Sequence, residues 1–230
     1  MAKRPVFIAK NSYPYYEIQE VVFDFYSGFA ISQKQKSIKS LHEKFMEQNK
    51  GIHVLEVSTK SLELLGTKLS AFNLPLCVEG KEISVECIFQ ASKKFEKGGP
   101  YADILNMNSR EAKKDLRLKE SGKIEAFVFN GQYFENEPKD YFYNWIYIKA
   151  LYEQKEYLEQ VKKYSAFTDI EFNPERSLNC QAKAIAIAIG LLQAGVLEDC
   201  MADRERLLEI VYRKPNTVYE QINLFNMEVM

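Results

Sequence analysis

The chain has 230 residues, 46% of them apolar and 27% charged, values of a folded globular protein and not of a disordered or fibrous one. Lys and Arg total 31 against 32 Asp and Glu, a formal net charge of -1. The chain is therefore not a uniformly basic nucleic-acid coat, although a local patch on a neutral domain can hold phosphate. Four cysteines form no CxxC pair, and His42 and His53 are the only histidines. This argues against a structural zinc site and fits reduced thiols in a cytoplasmic protein.

Residues 5–9 read as a short edge or entry strand, and the apolar run that follows Lys3 and Arg4 is too short for a signal peptide. Residues 21–26 are a second apolar run, closed by a Ser27-Gly28 turn. Ile38, Leu41, Phe45 and Met46 then recur at helical spacing and predict a helix over 32–51, with Gly51 as its stop. Residues 52–57 are strand-like, and 62–65 suit one helical turn. Glu79-Gly80-Lys81 predicts a hairpin turn.

Val85, Ile88, Phe89 and Phe95 form an apolar stripe that predicts one helix over 84–96, capped by Ser84 and ended by Gly98-Gly99-Pro100. Ser109 fits the cap of a helix over 110–116, residues 124–129 a strand, and 140–159 a long helix. Residues 167–174 read as a loop or short strand. Residues 180–194 alternate Ala and Ile, which also suits a strand, but their length and alanines favour a buried helix. That stretch is too short and too interrupted, by Lys183 and Gln193, for a membrane span. A helix over 204–212 precedes a loosely specified tail of fifteen residues. No repeat or linker divides residues 1–230, so the expectation is one α+β domain, mostly helical around a small sheet.

Standard phosphate-loop, dinucleotide, zinc-protease and serine-hydrolase motifs are absent. Glu86, Gln90 and Lys93 are spaced to share one polar helix face. A carboxylate in a first helical turn is held ionised by free N–H groups, so Glu86 suits either charge stabilisation or simple capping. Gly98 and Gly99 permit close backbone approach to a ligand, Tyr101 can stack on a ring, and the same glycines suit a plain turn. The run from Arg110 to Lys123 carries six basic and three acidic residues, among them Arg110, Lys113, Lys114 and Arg117. These can meet phosphates or form a salt-bridged solvated helix. Asp169, Asn173, Arg176, Asn179 and Gln181 form a polar loop suited to a fixed network.

Taken together these segments resemble the NADAR (YbiA-like) family. The resemblance is carried by Leu69, Ser70 and Phe72; by Glu86, Phe89, Gln90, Ala91 and Lys93; and by Glu111, Ala112 and Arg117. The chain departs from that pattern at Ala71, where Asn is usual, and at Cys87, where His is usual. The wider string is similar to NADAR antitoxins paired with DNA-targeting ADP-ribosyltransferase toxins. The resemblance implies a single NADAR-like domain with elaborations at both ends, and hydrolysis of the bond between ADP-ribose and guanine in DNA. It implies single-stranded ADP-ribosylated DNA as substrate, ADP-ribose as product, pairing with a toxin, and no cofactor, metal or membrane.

On this reading Glu86 stabilises an oxocarbenium-like transition state and orients water, with Lys93 or Asp103 assisting the departing base. Lys34, Lys36 and Arg117 are candidates for pyrophosphate and DNA backbone, and Tyr101 or Trp145 for stacking. Ser70, Phe72, Gln90, Gly99 and Asp169 complete the expected binding set. Two other readings stay open: an N-glycosidase on a phosphorylated riboflavin-pathway metabolite, and a non-catalytic antitoxin that binds modified DNA or the toxin.

Overall fold

The computed structural model describes residues 1–213, so the predicted tail lies outside the described residues. The chain opens with a hairpin, β1 (Ala2–Ala9) against β2 (Tyr16–Phe23). β1 also pairs antiparallel with β9 (Ala166–Thr168), which runs parallel to β3 (Val54–Glu56). In the order β2-β1-β9-β3 the strand expected at the edge or entry of the sheet is the entry strand, in an interior position. Its alternation explains this. Val6 and Ile8 pack into one apolar cluster, Phe7 and Ala9 into another, so β1 needs cover on both faces. β2 starts before its apolar run because pairing with β1, and not apolarity, holds its exposed first half.

Helix α1 (Ile31–Gln48) covers one face with Ile38, Leu41 and Phe45. The other face meets the main core, built around α6 (Tyr141–Glu153) and α8 (Gln181–Gln193). The Ala/Ile alternation of α8 is buried nearly all round, as an internal helix requires. The long helix predicted over 140–159 is two helices, because the chain turns at Gln154 before α7 (Lys155–Val161). α9 (Leu197–Ala202) and α10 (Arg204–Tyr212) complete the helical side. Among the described residues no helix is long and apolar enough to cross a membrane.

Against α6 and α7 pack α2 (Leu64–Lys68), the hairpin of β4 (Pro75–Val78) and β5 (Lys81–Ser84), and α3 (Val85–Ala91). The helix predicted over 84–96 thus ends early. The Ser92 hydroxyl donates to the Ile88 carbonyl at 2.7 Å, and the Ser92 carbonyl accepts from Val128 N–H at 2.8 Å. Residues Lys93–Phe95 then form β6, which pairs with β7 (Ile124–Phe129), itself paired with β8 (Gln132–Glu135). Sheet pairing overrides the helical stripe there. A 3-10 turn (Ala102–Asn106) leads to α4 (Ser109–Lys114) and α5 (Arg117–Glu120). Asn108 caps α4, accepting from the N–H groups of Arg110 and Glu111, in place of the predicted Ser109. The described residues form one α+β domain, with three small sheets among them where one was expected.

Candidate active site

The segment after α2 is tied down from four directions. Tyr147 on α6 donates its hydroxyl to the Leu69 carbonyl at 2.7 Å. Gln181, at the start of α8, accepts from Ala71 N–H at 2.7 Å. The Ala71 carbonyl accepts from Glu86 N–H at 2.9 Å, and the Phe72 carbonyl from the Ser109 hydroxyl at 2.8 Å. Side chains from distant parts of the chain thereby fix this loop against the first turn of α3. Ser84 caps that turn by accepting from Cys87 N–H at 3.2 Å.

A cavity of about 490 Å³ opens over this junction, roughly mid-range for small-molecule sites. Ser70, Phe72, Glu86, Gln90, Lys93 and Asp169 all line it. Glu86 and Gln90 are buried. The Gln90 amide nitrogen donates to Glu86 Oε1 at 2.8 Å, and its oxygen accepts from Lys93 Nζ at 2.7 Å. Burial lowers the Lys93 ammonium from its ordinary range to about 8, against the opposing pull of Glu86. Lys93 also lies over the Phe89 ring, 4.5 Å from its centre.

A second carboxylate faces the same cavity. Asp169 accepts from Glu171 N–H at 3.0 Å and is held by Gln181 as well. Burial and the neighbouring charge of Glu56 push its carboxyl up to about 8. Glu56 lies behind it, accepting from the Thr168 hydroxyl at 2.6 Å and from Ile170 N–H at 2.9 Å. Burial raises Glu56 too. Tyr143 lines the wall, its phenol kept neutral by burial and by the charge of Glu86.

The mouth is cationic. Lys60, Arg110 and Lys113 line it, and none of them is in an ion pair among the described residues. Arg110 and Lys113 are three apart on α4 and share a face, whereas Lys114 and Arg117 are directed elsewhere. Lys113 sits over the Phe72 ring at 5.1 Å.

Several predicted residues lie outside the cavity. Asp103 is bonded to Arg117, at 2.6 Å and 3.1 Å, and that guanidinium holds its carboxyl below the ordinary range. Asp103 does not line the cavity. Arg117 is shared between Asp103 and Asp115 and lies over the Tyr101 ring, whose hydroxyl is bonded to Ser121 and which does not line the cavity. Gly99 makes a tight turn in which a Cβ would strike the Lys93 carbonyl oxygen, so its role is close backbone packing. Trp145 is buried among Phe129, Phe134 and Phe142, with no ring face open to a base. Lys36 lies over Tyr26 away from the cavity, while Lys34 pairs with the lining residue Glu171 at 3.2 Å.

Sequence reasoning missed Tyr143, Glu56 and Lys60. Residues 58–61 fall between the strand-like run over 52–57 and the helical turn over 62–65 with no motif of their own, and nothing local marks Glu56 as the neighbour of a carboxylate at 169. The two departures from the family pattern are resolved differently. Cys87 is buried on the other side of α3 and donates to the Met107 carbonyl at 3.2 Å, so that side chain does not line the cavity. Ala71 does line it, whereas the nearby Asn73, whose amide donates to the Thr67 carbonyl at 2.8 Å, does not.

No curated protein matches the chain. A family model described as DarT1-associated NADAR antitoxin matches residues 2–221, nearly the whole length. The chain belongs to the DarT1-associated NADAR antitoxin family.

Proposed function

We propose that this chain is a glycohydrolase that removes ADP-ribose from guanine in DNA, and so acts as the antitoxin of a DNA-modifying toxin. The observation that carries the reading is the Glu86–Gln90–Lys93 array at the floor of a cavity whose mouth carries cations in no ion pair among the described residues. Family membership supplies the pairing with a toxin.

The bond between ribose C1″ and the guanine nitrogen breaks with its electron pair leaving on the base. The Glu86 carboxylate stabilises the positive charge that develops on the ribose and takes a proton from the water that attacks C1″. The Lys93 ammonium, with a pKa near working pH, donates the proton that the departing guanine needs. Gln90 touches neither reacting atom; it holds both groups in place. Lys60, Arg110 and Lys113 suit the pyrophosphate, which needs donors and positive charge in a half-open site. Asp169, largely protonated near neutral pH, has an O–H to offer a ribose oxygen.

The test is product analysis by mass on a single-stranded oligonucleotide carrying ADP-ribose on guanine. The expected products are free ADP-ribose and the intact unmodified strand. Tight binding with no mass change would replace this reading with a binding-only antitoxin. Inertness toward the oligonucleotide, with cleavage of a small phosphorylated N-glycoside, would replace it with metabolite hydrolysis.

A further inference from the structure

The segment between β2 and α1 presents aromatic rings to solvent where a chain normally hides them. Phe25 is 38% exposed, Tyr26 42%, and Phe29 fully exposed. The backbone beneath is fixed. Asp24 N–H donates to the Ser40 hydroxyl at 3.1 Å and Tyr26 N–H to the Ser37 hydroxyl at 2.9 Å, both on α1. Phe25 also rests edge-on against Phe23 of β2, which is buried. The first two rings are therefore held outward by a pinned backbone.

Charge accompanies the rings. Lys34 lies 5.8 Å from the centre of Phe25 and Lys36 6.0 Å from that of Tyr26. The patch is continuous with the cavity, because Lys34 also bonds Glu171 on the cavity wall. Exposed aromatic faces interleaved with lysines match the alternation of bases and phosphates in a single strand. A protein partner would more commonly meet an apolar patch whose centre is free of lysine.

We propose that Phe25, Tyr26 and Phe29, with Lys34 and Lys36, form the platform on which nucleotides flanking the modified guanine of single-stranded DNA stack. This rests on the glycohydrolase reading for its modified base, but strand binding itself is separable from turnover.

The experiment is fluorescence anisotropy with a labelled, unmodified single-stranded 12-mer, at two salt concentrations. The full chain binds it, more weakly at the higher salt. Tyr26→Ala/Phe29→Ala weakens binding about tenfold or more, the loss expected for one or two stacked bases. Lys36→Glu, which removes no ring, weakens it as well. Tyr133→Ala, removing an exposed aromatic on β8, leaves it unchanged. Far-ultraviolet circular dichroism checks that each variant is folded. Undiminished affinity in the double variant overturns the platform, as does absence of strand binding by the parent. So does loss of binding to a purified DNA-modifying toxin in place of DNA, which would make the patch a protein interface. A chain that binds the strand through these rings but releases no ADP-ribose keeps the platform and removes the glycohydrolase reading. A chain that releases ADP-ribose from the modified strand with unchanged KM in the double variant does the reverse.

Discussion

Gln90 uses both ends of its amide, donating to Glu86 and accepting from Lys93. The Glu86–Gln90 pair was legible in the sequence, because residues four apart on a helix meet; Lys93, expected on the same helix, reaches Gln90 from β6 instead. The partner of Asp169 was not legible. Glu56 lies more than a hundred residues away, and only the pairing of β3 with β9 brings the two carboxylates together. The lowered pKa of Lys93 gives a signed prediction. Its ammonium is present below about 8 and lost above it, so single-turnover release of ADP-ribose should fall about tenfold per pH unit on the alkaline side. Lys93→Met should lower the rate by about 10²–10⁴ and abolish that alkaline limb. A parent profile that is flat from pH 7 to 10 would remove Lys93 from proton donation.

At the scale of elements, α3 has only seven residues, so its ends matter more than its propensity. Ser84 both caps its first turn and meets the Ser109 hydroxyl at 2.8 Å. Ser84→Ala should cost about 1 kcal/mol and lower the Tm by roughly 2–4 °C in a calorimetric scan, while Ser84→Asn should restore much of it. An unchanged Tm in the alanine variant would show that the cap contributes nothing. The Ser84 cap was readable from sequence; the length of α3 was not. Phe95 continues the apolar stripe, but its burial is in a strand, and the stripe alone does not reveal that β7 claims residues 93–95. Likewise Tyr101 and Trp145 had the right chemistry for stacking, yet one is half-buried outside the cavity with its hydroxyl on Ser121 and the other is buried among aromatic neighbours. Both neighbourhoods are products of tertiary packing.

For the molecule as a whole, the mixed sheet has α1 on one face and the α6–α8 core on the other, and the cavity sits where that core meets α3. Residue patterning announced the α+β class and the helix pair, but strand order depends on contacts that no local pattern encodes. Gly190 marks one of the close approaches. A Cβ there would strike the carbonyl oxygens of Tyr15 and Lys10, in the turn of the first hairpin. Gly190→Ala should therefore destabilise by about 1–3 kcal/mol or more despite its better helix propensity, readable as a lower urea midpoint. A stabilised variant would mean that hairpin and helix move apart freely.

The most direct test of the central claim is single-turnover cleavage of the guanine-ADP-ribosylated oligonucleotide by Glu86→Gln, with binding measured on the same preparation. Glutamine keeps the size of the side chain and removes its charge. The account predicts retained binding within a few-fold and a release rate lowered by about 10²–10⁴. Release at the parent rate with binding intact would contradict it, and would move the chemistry of this cavity away from Glu86.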